Sequence, residues 1–486
     1  MAKFLISLVL LVGALLLDRL VRPRPAGDRW LAVRSAYGSW LQILTVSAVF
    51  GATLALCGNP LAAAFVALAF VGLFVMVSNA KRAMLGEPLV FSDLALIGAV
   101  FQHPQFYMSA LTVTQKAVLL AAVPVLPALL WWVFLPDILL HLAGALIAGI
   151  ASAFLWWTLH GHRLRLPARG SDAEADLLRH GLLAMLLLHW RAWRATTDPL
   201  PLPSLTNPAR PGEVAVIIQC ESFADPCALF GDPSLELPGL AAMRSLAWQH
   251  GDLMVHGFGA YTMRTEYGVL FGRSEEELGF RRFDPFLTAL GESSYALPAR
   301  LAGAGWRSIF AHPHDMRFYN RERIMRAAGF AELVGEERFA PPSLEEGRYV
   351  TDAAMADEIL RLVNAAQDPA LFYAVTIENH GPWQAGTGTP DLRESYLHLV
   401  RNSDAMLTAL HNGLVKSGRP ATLVFFGDHR PSIPGICVPG GDRHTPYVIV
   451  RYDASGQVVR GEGRHCDLTP AGLHHTVLDL LSGRGE

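Results

Sequence analysis

The apolar positions of this chain fall into two regimes that change near residue 199. Before that point the sequence is almost continuously apolar; after it, short apolar runs alternate with longer helical patterns. A helix needs about 20 mostly apolar residues to cross the hydrocarbon core of a bilayer. Segments 4–17, 41–57, 61–78, 117–135 and 138–158 meet or approach that length, which predicts an anchor of about five helices over residues 1–160. The first segment is short, but Asp18, Arg19 and Arg22 follow it where a small-residue cleavage site would be needed, so it reads as a retained helix. Residues 161–212 then hold GLLAMLLLHW within 177–193, flanked by Arg179, Arg191 and Arg194, which predicts an amphipathic helix on the membrane surface. DPLPLPSLTNPARPG (198–212) reads as a linker.

From residue 213 to 486 the pattern is that of a globular domain. Runs at 214–219, 308–311, 371–376, 422–426 and 447–451 predict buried strands, and 294–304, 353–366 and 392–417 predict helices. Strands alternating with helices imply an α/β domain whose mostly parallel central sheet is covered by helices. In such folds ligands collect at the carboxyl ends of the strands. Four strand ends carry suitable side chains: Glu221 and Ser222; His312, His314 and Asp315; Glu378, Asn379 and His380; Asp428 and His429.

Composition narrows the chemistry. A hydrophobic content of 51% fits the membrane third, and a formal net charge of -3 gives no basic footprint for nucleic acid. The five cysteines show neither CxxC pairing nor zinc-finger spacing; four lie in the globular half, where an oxidising compartment would permit pairing. Carboxylate and imidazole together suit zinc, manganese or a similar divalent ion, and Glu221, Asp428 and His429 are the best candidates because each directly follows a buried strand. GFGAYTMRTEYGVLFG (257–272) places Thr262 at or near a helix start, where backbone N–H groups favour a bound phosphate. The plain alternative is a capping threonine. The G-x-S-x-G elbow, the G-x-x-x-x-G-K-[ST] loop and the Cys-x-Pro-x-Arg sulfatase signature are absent.

Six motifs occur in one order: IIQCESF, AYTMRTEYGVLFG, FAHPHDMRFYNRERIMRAAGF, VTIENHGPW, FFGDHRP and HTPYVIV. Over residues 214–479 they make the chain resemble the lipoteichoic acid synthase family, the phosphoglycerol transferase branch of the alkaline phosphatase/sulfatase superfamily. LGEPLVFSDLAL (85–96) resembles the segment after the third span in these proteins. The resemblance implies a five-helix anchor and an extracytoplasmic catalytic domain. It also implies that Glu221, Asp428 and His429 hold a divalent metal ion, Mn or Zn with Mg also allowed. Thr262 is selected as the metal-bound nucleophile by the T-x-x-x-E pattern it forms with Glu266, leaving Thr265 as a bystander. His312, Tyr319, Arg321 and His380 match positions that hold the phosphoglycerol group, with Tyr319 standing where tryptophan can occur. His444 is placed near the site, and His314 has no firm counterpart and reads as a solvated loop residue.

The implied activity is transfer of phosphoglycerol from a phosphatidylglycerol-type phospholipid, through phospho-threonine, to an envelope glycan or polymer, with His380 or His312 carrying the proton. The rivals are a phosphoethanolamine transferase, a sulfatase or phosphodiesterase-type hydrolase, and a catalytically silent envelope protein. The implied location is multi-pass in a bacterial inner (cytoplasmic) membrane, with the catalytic domain facing the periplasm or cell exterior. The charge pattern predicts the opposite orientation: Arg19, Arg22, Arg24, Arg29 and Arg34 crowd one loop and Arg163, Arg165 and Arg169 another, both cytoplasmic by the positive-inside rule.

Overall fold

The computed structural model describes residues 2–24, 34–94, 128–129, 131–161, 172–343, 347–383, 391–461 and 463–483. They belong to two compact units, Met1–Thr196 and Thr197–Glu486.

The first unit contains helices α1 (Ala2–Asp18), α2 (Ala36–Cys57), α3 (Pro60–Leu85) and α4 (Ile138–His160). Among the described residues, α2, α3 and α4 are long and apolar enough to cross a membrane, and α1 is a shorter apolar helix. Most of the expected span at 117–135 lies outside the described residues, as does the basic stretch 163–169. Helices α2 and α4 meet through small residues. A Cβ on Gly144 would stand 2.3 Å from the Ala55 nitrogen, and one on Gly51 would stand 2.5 Å from that of Ala148. Close backbone approach through glycine and alanine is how helices pack where lipid tails remove the hydrophobic drive. Outward-facing Trp131 and Trp132 precede α4, and exposed Trp156 and Trp157 lie near its end. The helix between them runs about 27 Å at 1.5 Å per residue, close to the hydrocarbon thickness, so these rings sit where interfacial aromatic belts form.

The expected surface helix at 177–193 is two helices, α5 (Ala173–His180) and α6 (Leu182–Arg194), broken at Gly181 with φ 86°. Its apolar side chains are covered by the unit itself: Leu182, Met185 and Leu188 are buried, and Ala184 and Leu188 pack with Leu41 and Leu159. Polar contacts hold the hairpin there. Asp18 accepts the Leu182 N–H at 2.9 Å, and the buried His189 meets Asp176 at 2.8 Å. At this end Arg34 pairs with Asp18 at 2.9 Å, Lys81 with Asp93 at 2.6 Å, and Arg82 with Glu174.

The second unit is built on one mixed sheet. Strands β1 (Val214–Cys220), β5 (Ala370–Val375) and β6 (Ala421–Gly427) are buried along their whole length, as central parallel strands covered on both faces must be. The sheet order is β4-β3-β5-β1-β6-β7-β2-β9, with β3 (Arg307–Ala311), β4 (Glu332–Val334), β7 (Thr445–Tyr452), β2 (Gln249–Leu253) and β9 (Arg464–His465); β8 (Val458–Val459) pairs with β7. The β4-to-β6 half is parallel, and β7 runs antiparallel to β6 and to β2. Helices α7 (Asp352–Ala365) and α8 (Leu392–Ser417) match two of the three expected helices. The third, at 294–304, is instead a chain of short turns, because Ala296 is extended with ψ 143° and Pro298 begins a new turn. The expected linker has no helix or strand, yet it is strapped onto this unit: Leu205 N–H donates to the Arg300 carbonyl at 2.7 Å, Ala209 N–H to that of Ala304 at 3.0 Å, and Asp198 pairs with Arg281 at 2.8 Å.

Candidate active site

Register explains why distant residues converge. Cys220 of β1 pairs with Gly427 of β6, so the next residues, Glu221 and Asp428, leave the sheet side by side. Ala311 of β3 pairs with Ala374 of β5, which brings His312 to the same rim. Glu221, Asp428 and His429 are all buried, and one ligand atom from each lies within 4.8 Å of the others. His429 Nε2 is 3.5 Å from Glu221 and 3.7 Å from Asp428. Its Nδ1–H donates to its neighbour's carbonyl, that of Arg430, at 3.1 Å, which leaves Nε2 as the face turned to the acids.

These residues fit a divalent cation. Two carboxylates share a buried space with a single imidazole, and Asp428 Oδ2 is buried with no hydrogen-bond partner. Burial first, and then the neighbouring Glu221 charge, push the Asp428 carboxyl up to about 7. Burial alone would lower His429, but Asp428 and Glu221 outweigh it and hold its pKa up. A cation among them would relieve the like-charge crowding and satisfy the orphaned oxygen. Ligand atoms around a four-coordinate ion with bonds of about 2.1 Å stand about 3.4 Å apart, near the spacings seen here.

The supporting residues set this geometry. Ser222 takes the left-handed region at φ 49°, and its N–H donates to Asp428 Oδ1 at 2.8 Å. Its carbonyl accepts from Tyr396 at 3.0 Å and from Asn379 at 3.3 Å. The Glu221 N–H is held by the Thr376 hydroxyl at 3.0 Å.

Thr262 is the first residue of helix α9 (Thr262–Phe271 in sequence, placed between β2 and β3), behind Tyr261 at φ 73°. Its hydroxyl donates to Glu221 Oε2 at 3.3 Å. Thr265 instead donates to the Asp428 carbonyl at 2.7 Å, a purely architectural contact. Glu266, one turn beyond Thr262, grips the buried Arg321 through Nε at 3.2 Å and Nη2 at 2.8 Å. Thus the T-x-x-x-E spacing places the nucleophile candidate and an arginine anchor on one helical face. Arg321 Nη1 donates to His312 Nε2 at 3.3 Å, while His312 Nδ1–H donates to the Val375 carbonyl at 2.9 Å. Burial and the Arg321 charge drive the His312 pKa well down, so the ring is neutral. Tyr319, at φ 58°, sets its ring 5.1 Å from the Arg321 guanidinium.

His380 is exposed, with Nδ1 2.7 Å from the Gly381 carbonyl. His314 is not the solvated loop residue that was expected: its ring lies 6.0 Å from His312 and 6.0 Å from Tyr349, whose ring is 5.7 Å from His380. Tyr349 went unnoticed in the sequence because it sits in a short polar loop with no strand end to announce it. His444 pairs with Asp442, with Arg430, the residue after His429, at 3.0 Å and with Asp252 at 3.5 Å. All five cysteines are unpaired.

Three comparisons bear on this site. Residues 213–481 match the family model described as Sulfatase. The chain is 32% identical over 459 residues to the capsular polysaccharide biosynthesis protein RkpI of Rhizobium meliloti (strain 1021), covering 89% of this chain and 85% of that protein. The fold is similar to that of the integral membrane protein lipooligosaccharide phosphoethanolamine transferase A (EptA) from Neisseria meningitidis, at 13% identity and a TM-score of 0.56, over 98% of this chain and 95% of that one. A Streptococcus pyogenes phosphoglycerol transferase, GacH, in complex with sn-glycerol-1-phosphate, aligns at 18% identity and a TM-score of 0.45 over 58% of this chain and 76% of its own.

Proposed function

The chain belongs to the sulfatase family of the alkaline phosphatase superfamily, and on that premise we propose that it is a membrane-anchored phosphotransferase using Thr262 as its nucleophile. It moves a phosphoglycerol group from a phosphatidylglycerol-type lipid to an envelope glycan or polymer. The observation that carries this reading is the Thr262 hydroxyl, at a helix N-terminus and 3.3 Å from a carboxylate of the buried cluster. Glu221, Asp428 and His429 would hold a divalent ion, Mn or Zn with Mg allowed, which when bound withdraws charge from a phosphoryl oxygen and lowers the pKa of an adjacent hydroxyl.

The residues divide the remaining work. Thr262 Oγ, passing its proton to Glu221 Oε2, attacks phosphorus as the bond to the diacylglycerol oxygen breaks, which leaves the phosphoglycerol group on the threonine; an acceptor hydroxyl then displaces the threonine oxygen, which takes that proton back. Splitting one hard transfer into two easier ones is the gain from a covalent intermediate. The first-turn N–H groups of the helix favour the phosphate charge. Arg321 has Nε and Nη2 held by Glu266, so the phosphate is met by its Nη1 edge beside neutral His312. His380, exposed at the rim, gives a proton to the leaving oxygen and takes one from the acceptor.

The extent of similarity to a capsular polysaccharide biosynthesis protein supports an envelope polysaccharide as acceptor. Donor and acceptor of that kind favour a catalytic unit facing the periplasm or cell exterior, with the anchor in a bacterial inner membrane. The charge pattern, of which Arg34 faces the Asp18 carboxylate, favours the opposite orientation, and a reporter fused to the C-terminus decides between the two. A phosphoethanolamine transferase or a hydrolase would use the same triad, so the test must read the group carried. Full-length protein with Mn is incubated with phosphatidylglycerol or phosphatidylethanolamine, and the Thr262 peptide is weighed by mass spectrometry. A phosphoglycerol adduct on Thr262, with turnover falling at least about 10³-fold in Thr262→Ala, is the expected result. Unimpaired turnover in Thr262→Ala would overturn the mechanism.

A further inference from the structure

His429 and the loop that enters Thr262 are joined by a residue that the transfer itself does not use. The Arg430 carbonyl serves both: it accepts the His429 Nδ1–H at 3.1 Å and the Gly259 N–H at 2.8 Å. Phe258 and Arg430 form an isolated parallel bridge, so the segment leading to Thr262 lies along the segment that leaves the triad. The approach is close enough to require glycine. Gly259 takes φ 64°, and a Cβ there would stand 2.3 Å from Ser432 Cβ. One peptide oxygen therefore sets the turn of the triad imidazole and the path of the nucleophile loop.

That oxygen has to be aimed from outside its own peptide. Pro431 follows Arg430, so the peptide carries no N–H with which to anchor itself. The Arg430 side chain, which is buried, supplies the anchor. Its Nε donates to the His444 carbonyl at 2.8 Å, and its Nη2 donates to Asp442 Oδ2 at 2.9 Å and lies 3.0 Å from His444 Nε2. Asp442 also pairs with His444 Nδ1, which braces the receiving loop. A planar guanidinium can meet these partners at once from one fixed position, as a flexible point charge cannot. The same loop reaches the nucleophile segment a second time, where Arg443 Nη1 donates to the His256 carbonyl at 2.7 Å. Residues 442–444 thus hold both the residue after His429 and the approach to Thr262.

We infer that Arg430 is a positioning residue: locked on the 442–444 loop, it aims the carbonyl that turns His429 toward Glu221 and Asp428 and keeps the nucleophile loop beside them. This rests on the reading above, in which those three residues hold a divalent ion. Partners that orient a metal-binding imidazole are worth about 10- to 100-fold in metal affinity or activity. Full-length wild type, Arg430→Gln, Arg430→Lys and Asp442→Asn are purified in detergent and stripped of metal. Mn binding is followed from the electron paramagnetic resonance signal of the free ion, and kcat and KM are measured on methyl p-nitrophenyl phosphate. Arg430→Gln should weaken Mn binding by about 10- to 100-fold and lower kcat at saturating Mn at least about tenfold. Arg430→Lys keeps the charge but loses the fork, and should fall between wild type and Arg430→Gln. Asp442→Asn leaves both contacts to His444 in place, and should weaken Mn binding less than about tenfold. A merely structural role would lower the unfolding midpoint and leave the Mn affinity of the folded protein at the wild-type value. That result in Arg430→Gln, or in both other variants where Arg430→Gln does not fold, overturns this inference alone. Wild type that binds no Mn overturns the metal reading together with it.

Discussion

Each unit of this protein buries carboxylates, Asp18 in the helical unit and Glu221 with Asp428 at the sheet rim, and the two groups are finished differently. In the helical unit Asp18 is answered on both sides: Arg34 pairs with Oδ2 at 2.9 Å and the Leu182 N–H donates to Oδ1 at 2.9 Å. At the sheet rim, Glu221 and Asp428 share one imidazole, and Asp428 Oδ2 has no hydrogen-bond partner. A completed cluster ties segments together, here α1 to the start of α2 and to α6. An incomplete one keeps ligand capacity for something that arrives later. Burial alone therefore does not mark a site; at the sheet rim the mark is two acids and an imidazole converging on one space with a carboxylate oxygen left over.

The sharpest way to break this contrast is to neutralise one acid in each cluster. Asp18→Asn leaves Arg34 buried without its counter-charge, which costs about 3–5 kcal/mol, read as unfolding of the full-length protein in detergent. Asp428→Asn removes one of two crowded carboxylates, so the metal-free protein should unfold no earlier than wild type while activity falls at least about 10³-fold. Equal destabilisation by the two variants would erase the distinction. A smaller effect tests packing in the helical unit. Gly144→Leu puts a side chain where even a Cβ lies 2.3 Å from the Ala55 nitrogen, and should cost at least about 2 kcal/mol by prying α2 from α4. An unchanged unfolding midpoint would show that those helices do not rely on close approach.

The same contrast explains what was legible in the sequence. The runs VAVIIQ, LFYAVT and TLVFF were readable because strands buried on both faces must be apolar throughout, and the residues just past them followed automatically. Glu221, Asp428 and His429, which the fold brings together, are read off in that way, whereas Thr262 is pointed to by the family resemblance. The half-exposed strand β2, QHGDL, was not readable, because its burial alternates and its antiparallel pairing to β7 depends on a partner about 200 residues away. The contacts of helix α6 with Asp18 and Asp176 draw it against the rest of its unit, which its charged ends do not report. Tyr349 and the Glu266–Arg321 grip depend on tertiary neighbours, and no periodicity reports those. The contacts of His444 with Arg430, Asp442 and Asp252 depend on tertiary neighbours in the same way.

A third acidic pair lies between the two extremes, and it should show the smallest effect. Asp352 and Glu378 are both buried; Ser403 donates to Asp352 at 2.6 Å, but Asp352 Oδ1 has no hydrogen-bond partner. Among the described residues Asp352 takes no arginine or lysine as Asp18 takes Arg34, and no imidazole as Asp428 takes His429. A proton on Asp352 relieves its repulsion with Glu378. Burial, and then Glu378, push the Asp352 carboxyl up to about 8, against about 3.9 in an unfolded chain. With the folded pKa raised, the folded state holds a proton that the unfolded state has released. Stability is full below about pH 4 for this group and is lost as pH rises through about 8. Wild type should thus lose about 2 kcal/mol from this group between pH 6 and pH 8. Asp352→Asn, which keeps the shape of the protonated acid, should flatten that dependence and melt above wild type at pH 8. Parallel pH profiles for the two proteins would mean that Asp352 is ionised and that a cation, not a proton, completes this pair as well.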